Sequence, residues 1–441
     1  MTRSPSRPAG LHRRDWLLHG AAALGALATP AFATATATPA ASLPDGRRPR
    51  LVVVMLRGAI DGLNVVIPHG DPAYARARPR LAIPRPGEDG GALALDRLFG
   101  LHPAASPLMP YWQRGLLGFV HASGSPDSTR SHFDAQDYLE SGTPGHKGTP
   151  DGWMNRLLAG LPGPHSASRA LSLGNTPPRI LAGPAPVAFL GTGPKALDPK
   201  AIDQARLQRG LAKLYAGQDG LSQDYRDATQ SRQDMRRSLA QAAETPRGMK
   251  DEAPSRDPTA DAGAPSARSF AADARRLGDL LRADAHTQLA FTSVGGWDTH
   301  VNQGGATGQL ANRLGALCEG LDALAQGLGD SLQDTVIVVM SEFGRTVREN
   351  GTGGTDHGRG NAMWLLGGPL QGAAGGRVMG EWPGLEDRAL ADGRDLAVST
   401  DFRHVLAPVL RGHLGLDDEA LARVFPDLPG RSAPALKLLR S

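Results

Sequence analysis

Five short clusters in this 441-residue chain combine carboxylates, imidazoles, hydroxyls and guanidinium groups among glycines. Gly295-Gly296-Trp297-Asp298-Thr299-His300 sets an aspartate and a histidine two apart. In extended chain such side chains point the same way and can converge on one ion. Aspartate oxygen and imidazole nitrogen together suit zinc, manganese or a similar cation. Gly353-Gly354-Thr355-Asp356-His357-Gly358 puts a carboxylate beside an imidazole. Consecutive side chains diverge, so His357 is the expected ligand and Asp356 its outer partner; an Asp–His hydrogen bond that only fixes the loop is the alternative. Ser341-Glu342-Phe343-Gly344-Arg345 offers Glu342 as a hard-metal ligand or general base and Arg345 to neutralise an anion. A plain Glu342–Arg345 ion pair would read the same. Asp127-Ser128-Thr129-Arg130-Ser131-His132 opens a helix. A hydroxyl at a helix N-terminus faces unpaired N–H groups and favours an oxyanion, although Ser131 with Asp134 also reads as a helix cap. Arg130 is a candidate anion clamp or a solvated surface arginine. In Arg57-Gly58-Ala59-Ile60-Asp61-Gly62, Asp61 either enters a crevice or closes a turn.

These clusters need a scaffold that gathers them. Leu51–Leu56 is continuously apolar, as a strand buried on both faces requires. Similar runs recur at 116–120, 289–294, 335–340 and 362–366. Helical patterns lie between them at about 131–141, 151–160, 268–285, 307–328 and 401–412. The alternation predicts an α/β fold: a largely parallel central sheet with helices on both faces. Ligands of such sheets gather beyond the strands' carboxyl ends, where most of the clusters fall. Residues 196–267 read as an accessory helical and linker insertion, with 244–267 nearly free of bulky apolar residues.

The N-terminus is an address rather than a structural element. His12-Arg13-Arg14-Asp15-Trp16-Leu17-Leu18, an Ala-rich apolar run and Ala31-Phe32-Ala33 predict a twin-arginine signal peptide over 1–33, followed by a linker over 34–50. The apolar run is shorter than the ~20 residues a membrane span needs. Four arginines and one acid lie in 1–33, so most of the formal charge of +4 leaves with them. The near-neutral remainder gives no case for nucleic-acid binding, and no later segment is apolar enough to span a membrane. Cys318, the only cysteine, sits among Leu314, Leu317, Leu321 and Leu324 and reads as core. Gly and Pro, 56 and 35 residues, imply a globular chain with many loops.

From Leu51 onward the chain resembles the exported bacterial family known as domain of unknown function 1501. The carrying motifs are VVVMLRGAIDGLNVVIP, FGLHPAASPLMPYW, STRSHFDAQDYLESG, GGWDTH, SEFGRT and TDHGRGNAMWLLGG. That family is similar to the alkaline phosphatase and sulfatase superfamily, whose members usually hold two metal ions at the strand ends beside an alkoxide nucleophile. The resemblance implies that Asp61 binds one metal. It sets Asp298 and His300 at the other and places Glu342 and His357 at late ligand positions. Ser131 stands as the nucleophile, with Ser128 and Thr129 close enough to compete. Two departures stand out. Phe343 occupies a histidine position, and Asp298-x-His300 is tighter than the usual D-x-x-x-H, which implies one metal site that is weak, altered or empty. The expectation is an exported, periplasmic or extracellular, metal-dependent hydrolase of phosphate or sulfate esters. Its cofactor is a divalent ion (Zn, Mn, Mg or Ca). Its partners are an anionic small-molecule or glycan ester and the twin-arginine translocation machinery. The alternative is a binding or assembly protein on a degenerate hydrolase scaffold, with partners at 196–267.

Overall fold

In the computed structural model the described residues are 48–440, apart from 164–166, 175, 194–197, 199–200, 224, 227–228, 231–232, 234–257, 285 and 431–435. The expected signal peptide, nearly all of the linker and much of 196–267 lie outside them. The central sheet is built from β1 (Arg50–Leu56), β2 (Leu117–Gly124), β3 (Ala170–Leu173), β4 (Ala188–Leu190), β5 (Leu289–Val294), β6 (Thr335–Ser341), β7 (Asn361–Leu366), β8 (Val378–Met379) and β9 (Thr400–Asp401). Its order is β8-β2-β7-β6-β1-β5-β3-β4, with β9 also paired to β2. Strand β1 runs parallel to both β5 and β6. Strand β7 is antiparallel to both of its neighbours, β2 and β6. Among the described residues it is the one reversed strand of the central sheet; a separate three-stranded sheet of Val66–Ile67, Gly100–Leu101 and Leu93–Ala94 is antiparallel throughout. The fold is therefore mixed α/β with a mostly parallel sheet.

Both faces of the sheet are covered. On β1, Val52, Val54 and Leu56 face one layer of helices, and Leu51, Val53 and Met55 face the other. This alternation explains why the run is apolar at every position. The first layer contains α4 (Ala267–Ala283) and α5 (Gln309–Leu328), which present Phe270, Leu277, Leu314, Cys318 and Leu321. The second contains α2 (Trp153–Gly160) and α6 (Phe402–Gly412), with Trp153, Leu157, Leu406 and Leu410. Each buried aliphatic side chain stabilises the fold by about 1.5–3 kcal/mol. Helix α1 (His132–Ser141) follows β2 and brings its first turn to the sheet edge. In the accessory region, α3 (Ala205–Leu214) buries none of its side chains, and Leu207, Leu214 and Leu221 are exposed. No helix among the described residues is long and apolar enough to cross a membrane.

Candidate metal centre

Register explains how distant loops meet. Leu56, Val294 and Ser341 lie side by side at the carboxyl ends of β1, β5 and β6. The loops after them carry Gly58, Asp298 and Glu342. Because β7 is reversed, the segment before it arrives at this same edge, and His357 joins residues that follow strands. Helix α1 contributes His132, its first helical residue, after the cap Ser131.

The Asp298 Oδ1 atom is the centre of the arrangement. Arg345 Nη2 lies 2.6 Å from it, His300 Nε2 3.0 Å, His357 Nε2 3.3 Å and His132 Nε2 3.5 Å. The His300 and His357 Nε2 atoms are 2.9 Å apart. Four-coordinate ligands at about 2.0–2.1 Å from a zinc ion would be roughly 3.3 Å from one another, so these spans suit a shared cation. His132, Asp298 and His357 offer ligand atoms that all lie within 4.8 Å of one another.

The opposite edge of each ring decides what the Nε2 atoms can be. His132 Nδ1 lies 2.8 Å from Glu342 Oε1, His300 Nδ1 3.0 Å from Asp356 Oδ1, and His357 Nδ1 2.8 Å from the carbonyl oxygen of Arg130. All three partners accept, so each Nδ1 carries the proton and donates. A neutral ring then presents a lone pair at Nε2. Three lone pairs aimed at a carboxylate oxygen repel unless positive charge sits among them, whether ring protons, the Arg345 guanidinium or a metal cation. His132 Nε2 is buried and without a hydrogen-bond partner. This is how imidazole ligands are oriented around a metal: the outer nitrogen is anchored and the inner one is free.

Electrostatics point the same way. Burial lowers the basicity of His132, but the Asp298 and Glu342 carboxylates outweigh it and push its pKa up to about 9. His300 is raised chiefly by Asp298. Burial raises the Asp298 carboxyl, yet the three imidazoles close to it and the Arg345 charge hold it well below the usual range. Glu342 is likewise lowered, with burial opposed by His132 and Gln136. A field that draws protons onto these rings favours any cation at the same place. By contrast, buried His102 and His121 each accept a backbone N–H at Nδ1 and donate to a carbonyl at Nε2, the neutral arrangement.

The surroundings fix the ligands. Glu342 is fully buried and also accepts from Gly58 N at 2.8 Å and Gln136 Nε2 at 3.0 Å. Gly58 has φ of +106°, and a Cβ there would lie 2.8 Å from Asp298 N, so only glycine permits this approach. Arg345 is 1% exposed and donates to the carbonyls of Gly58, Ala59, Trp297 and Thr355 as well as to Asp298. Phe343 stacks on His132 with centroids 4.9 Å apart and lies 5.1 Å from the His357 ring. The phenyl ring at the departing position thus packs the imidazoles in place.

The structure brings together Asp298, His300, His357, Glu342 and Arg345. Glu342 reaches the centre through His132, and Arg345 through Asp298. Asp61 stands apart, fully buried in an ion pair with Arg78. Ser131 is exposed, and its Oγ accepts from Asp134 N at 3.4 Å as a helix cap. Arg130 pairs with Asp395 at 2.5 Å and Asp392 at 2.8 Å. His132 was not singled out in the sequence. The available signal was a histidine at the first helical position directly after a strand end, hidden by the hydroxyls before it.

A mostly parallel α/β sheet carrying a histidine–aspartate cluster at its strand ends defines the class: a mixed α/β protein with a candidate metal site. The family described as "Protein of unknown function (DUF1501)" matches residues 99–425, and the chain belongs to it. Among curated proteins nothing matches. Several solved structures are remotely similar. Ps i-CgsB, solved in complex with k-i-k-neocarrahexaose, shares 12% identity over 85% of this chain and 74% of its own, with a TM-score of 0.40. The PsFucS1 sulfatase from Pseudoalteromonas sp. shares 15% over 85% and 69%, with a TM-score of 0.35. A protein in the alkaline phosphatase superfamily from Vibrio parahaemolyticus shares 10% over 76% and 63%, with a TM-score of 0.33.

Proposed function

We propose that this protein is a metal-dependent hydrolase of phosphate or sulfate esters, exported by the twin-arginine route. The observation that carries the metal is the convergence of three Nε2 atoms on Asp298 Oδ1 while every Nδ1 meets an acceptor. His132, His300, His357 and Asp298 hold the ion. Arg345 orients Asp298, and Glu342, Asp356 and the Arg130 carbonyl orient the rings. Phe343 packs against the His132 and His357 rings. Imidazole-rich ligation favours zinc or a similar transition ion over magnesium or calcium. The bound cation would polarise the ester and stabilise developing negative charge. The His300 and His357 side chains are 36% and 25% exposed, so a small anion or the end of a glycan ester can reach this edge. The ester class follows the motif resemblance, with Ser131 as the attacking hydroxyl.

The test is to purify the exported protein, measure its metal by elemental analysis, and assay aryl phosphates and sulfates. Stoichiometric metal with hydrolysis abolished in His300→Ala supports the proposal; a metal-free, fully folded protein ends it. Lysines at Arg13 and Arg14 should retain the chain inside the cell.

A second reading is metal and anion binding without turnover. The capping geometry of Ser131 and the engagement of Arg130 with Asp392 and Asp395 favour it. It predicts stoichiometric metal and no hydrolysis of any ester in the panel.

A further inference from the structure

We infer that the chain binds one metal ion rather than two, because the Arg78 guanidinium permanently occupies the acidic position expected to hold the second. This rests on the proposal of a cation at His132, Asp298, His300 and His357. Asp61 is the carboxylate that the motif resemblance assigns to another ion. Its side chain and that of Arg78 are both 0% exposed. Arg78 Nη1 lies 2.6 Å from Asp61 Oδ2, and Nη2 lies 3.0 Å from Oδ1, a two-pronged pair. The remaining donors are also taken: Nε by the Val347 carbonyl, Nη2 by that of Thr346, and Nη1 by Asn64 Oδ1. Gln303 Nε2 adds a third hydrogen bond to the carboxylate at 2.6 Å.

A second cation would need at least two further ligands and access to Asp61. The residues present do not fit it. The other groups on this carboxylate, a guanidinium and a side-chain N–H, are donors, and a cation there would face positive charge. Displacing Arg78 would bury a guanidinium without partners. The pair instead serves the centre indirectly. Gln303 Oε1 accepts from Thr299 at 2.8 Å and from Thr355 at 2.8 Å, which ties Asp61 to the two loops that carry Asp298, His300 and His357.

Elemental analysis of the dialysed full chain, loaded with zinc, separates the possibilities. We expect one zinc per chain in the wild type, none in His357→Ala, and one in Asp61→Asn. Two zinc ions in the wild type, falling to one in Asp61→Asn, would overturn the inference and leave the first metal site standing. No zinc in the wild type would remove both. In a folded Arg78→Met variant, appearance of a second zinc would confirm that the guanidinium was its substitute; failure of that variant to fold leaves the wild-type count decisive.

Discussion

Glu342→Gln probes the logic of the centre without touching a proposed ligand. The carboxylate is fully buried and accepts the Nδ1–H of His132 at 2.8 Å. Glutamine keeps the volume and one acceptor but removes the charge. Hydrogen bonds to charged groups contribute about 1.5–3 kcal/mol, against about 0.5–1.5 for neutral ones. The loss is therefore about 1–1.5 kcal/mol in holding His132 and in its basicity as a ligand. That corresponds to roughly tenfold in affinity, and loosened ring orientation extends it toward the hundredfold typical of outer-partner substitutions. The assay is zinc titration of the apo protein against a chromophoric chelator, with thermal unfolding of the apo form as a control for folding. We expect affinity weakened tenfold to a hundredfold, with His132→Ala weaker still. An affinity within twofold of wild type, in a folded variant, would refute the claim that Glu342 acts through His132.

Other outcomes follow from the surrounding structure. Burial lowers the His121 pKa to about 4, against 6.5 in the unfolded chain. The unfolded state therefore binds the proton first, and stability present above pH 6.5 is lost as pH falls toward 4. The loss is about 3 kcal/mol, and chemical denaturation of wild type and His121→Gln across that window should show it shrinking in the variant. In Gly278→Ala the new Cβ would lie 2.4 Å from the Leu324 carbonyl oxygen and 2.9 Å from Gly327 Cα, both main-chain atoms. The ~1 kcal/mol gain in helix propensity is then outweighed, and a net loss of about 1–3 kcal/mol should appear as a lower unfolding midpoint. Ser131→Ala removes a cap, at about 1 kcal/mol. Under the hydrolase proposal it also abolishes turnover while leaving the metal content unchanged, and hydrolysis at the wild-type rate would exclude Ser131 as the nucleophile.

Much of the scaffold was legible in the sequence. The apolar run at 289–294 coincides with β5, and those near 51, 335 and 362 differ from their strands by one residue at an end. Strand β2 runs four residues beyond its predicted end because His121 and Ser123 are buried through hydrogen bonds rather than by apolar character. The short strands β3 and β4 passed unnoticed, since three or four residues carry too little periodicity. The reversal of β7 was equally invisible: an apolar run has the same pattern in either direction.

The sequence by itself determined the longer strands and the main helices, because burial on one or two faces imposes a period that local composition must obey. It also determined that acids, imidazoles and guanidinium groups would cluster in loops at strand ends, and the family to which the chain belongs. Only the tertiary structure decided the partners. Asp61 met Arg78, Asp298 met three histidines and Arg345, and His132 rather than Ser131 joined the cluster at Asp298. Such choices depend on strand direction, register and the side on which a helix turn opens, and those are set by packing between segments hundreds of residues apart.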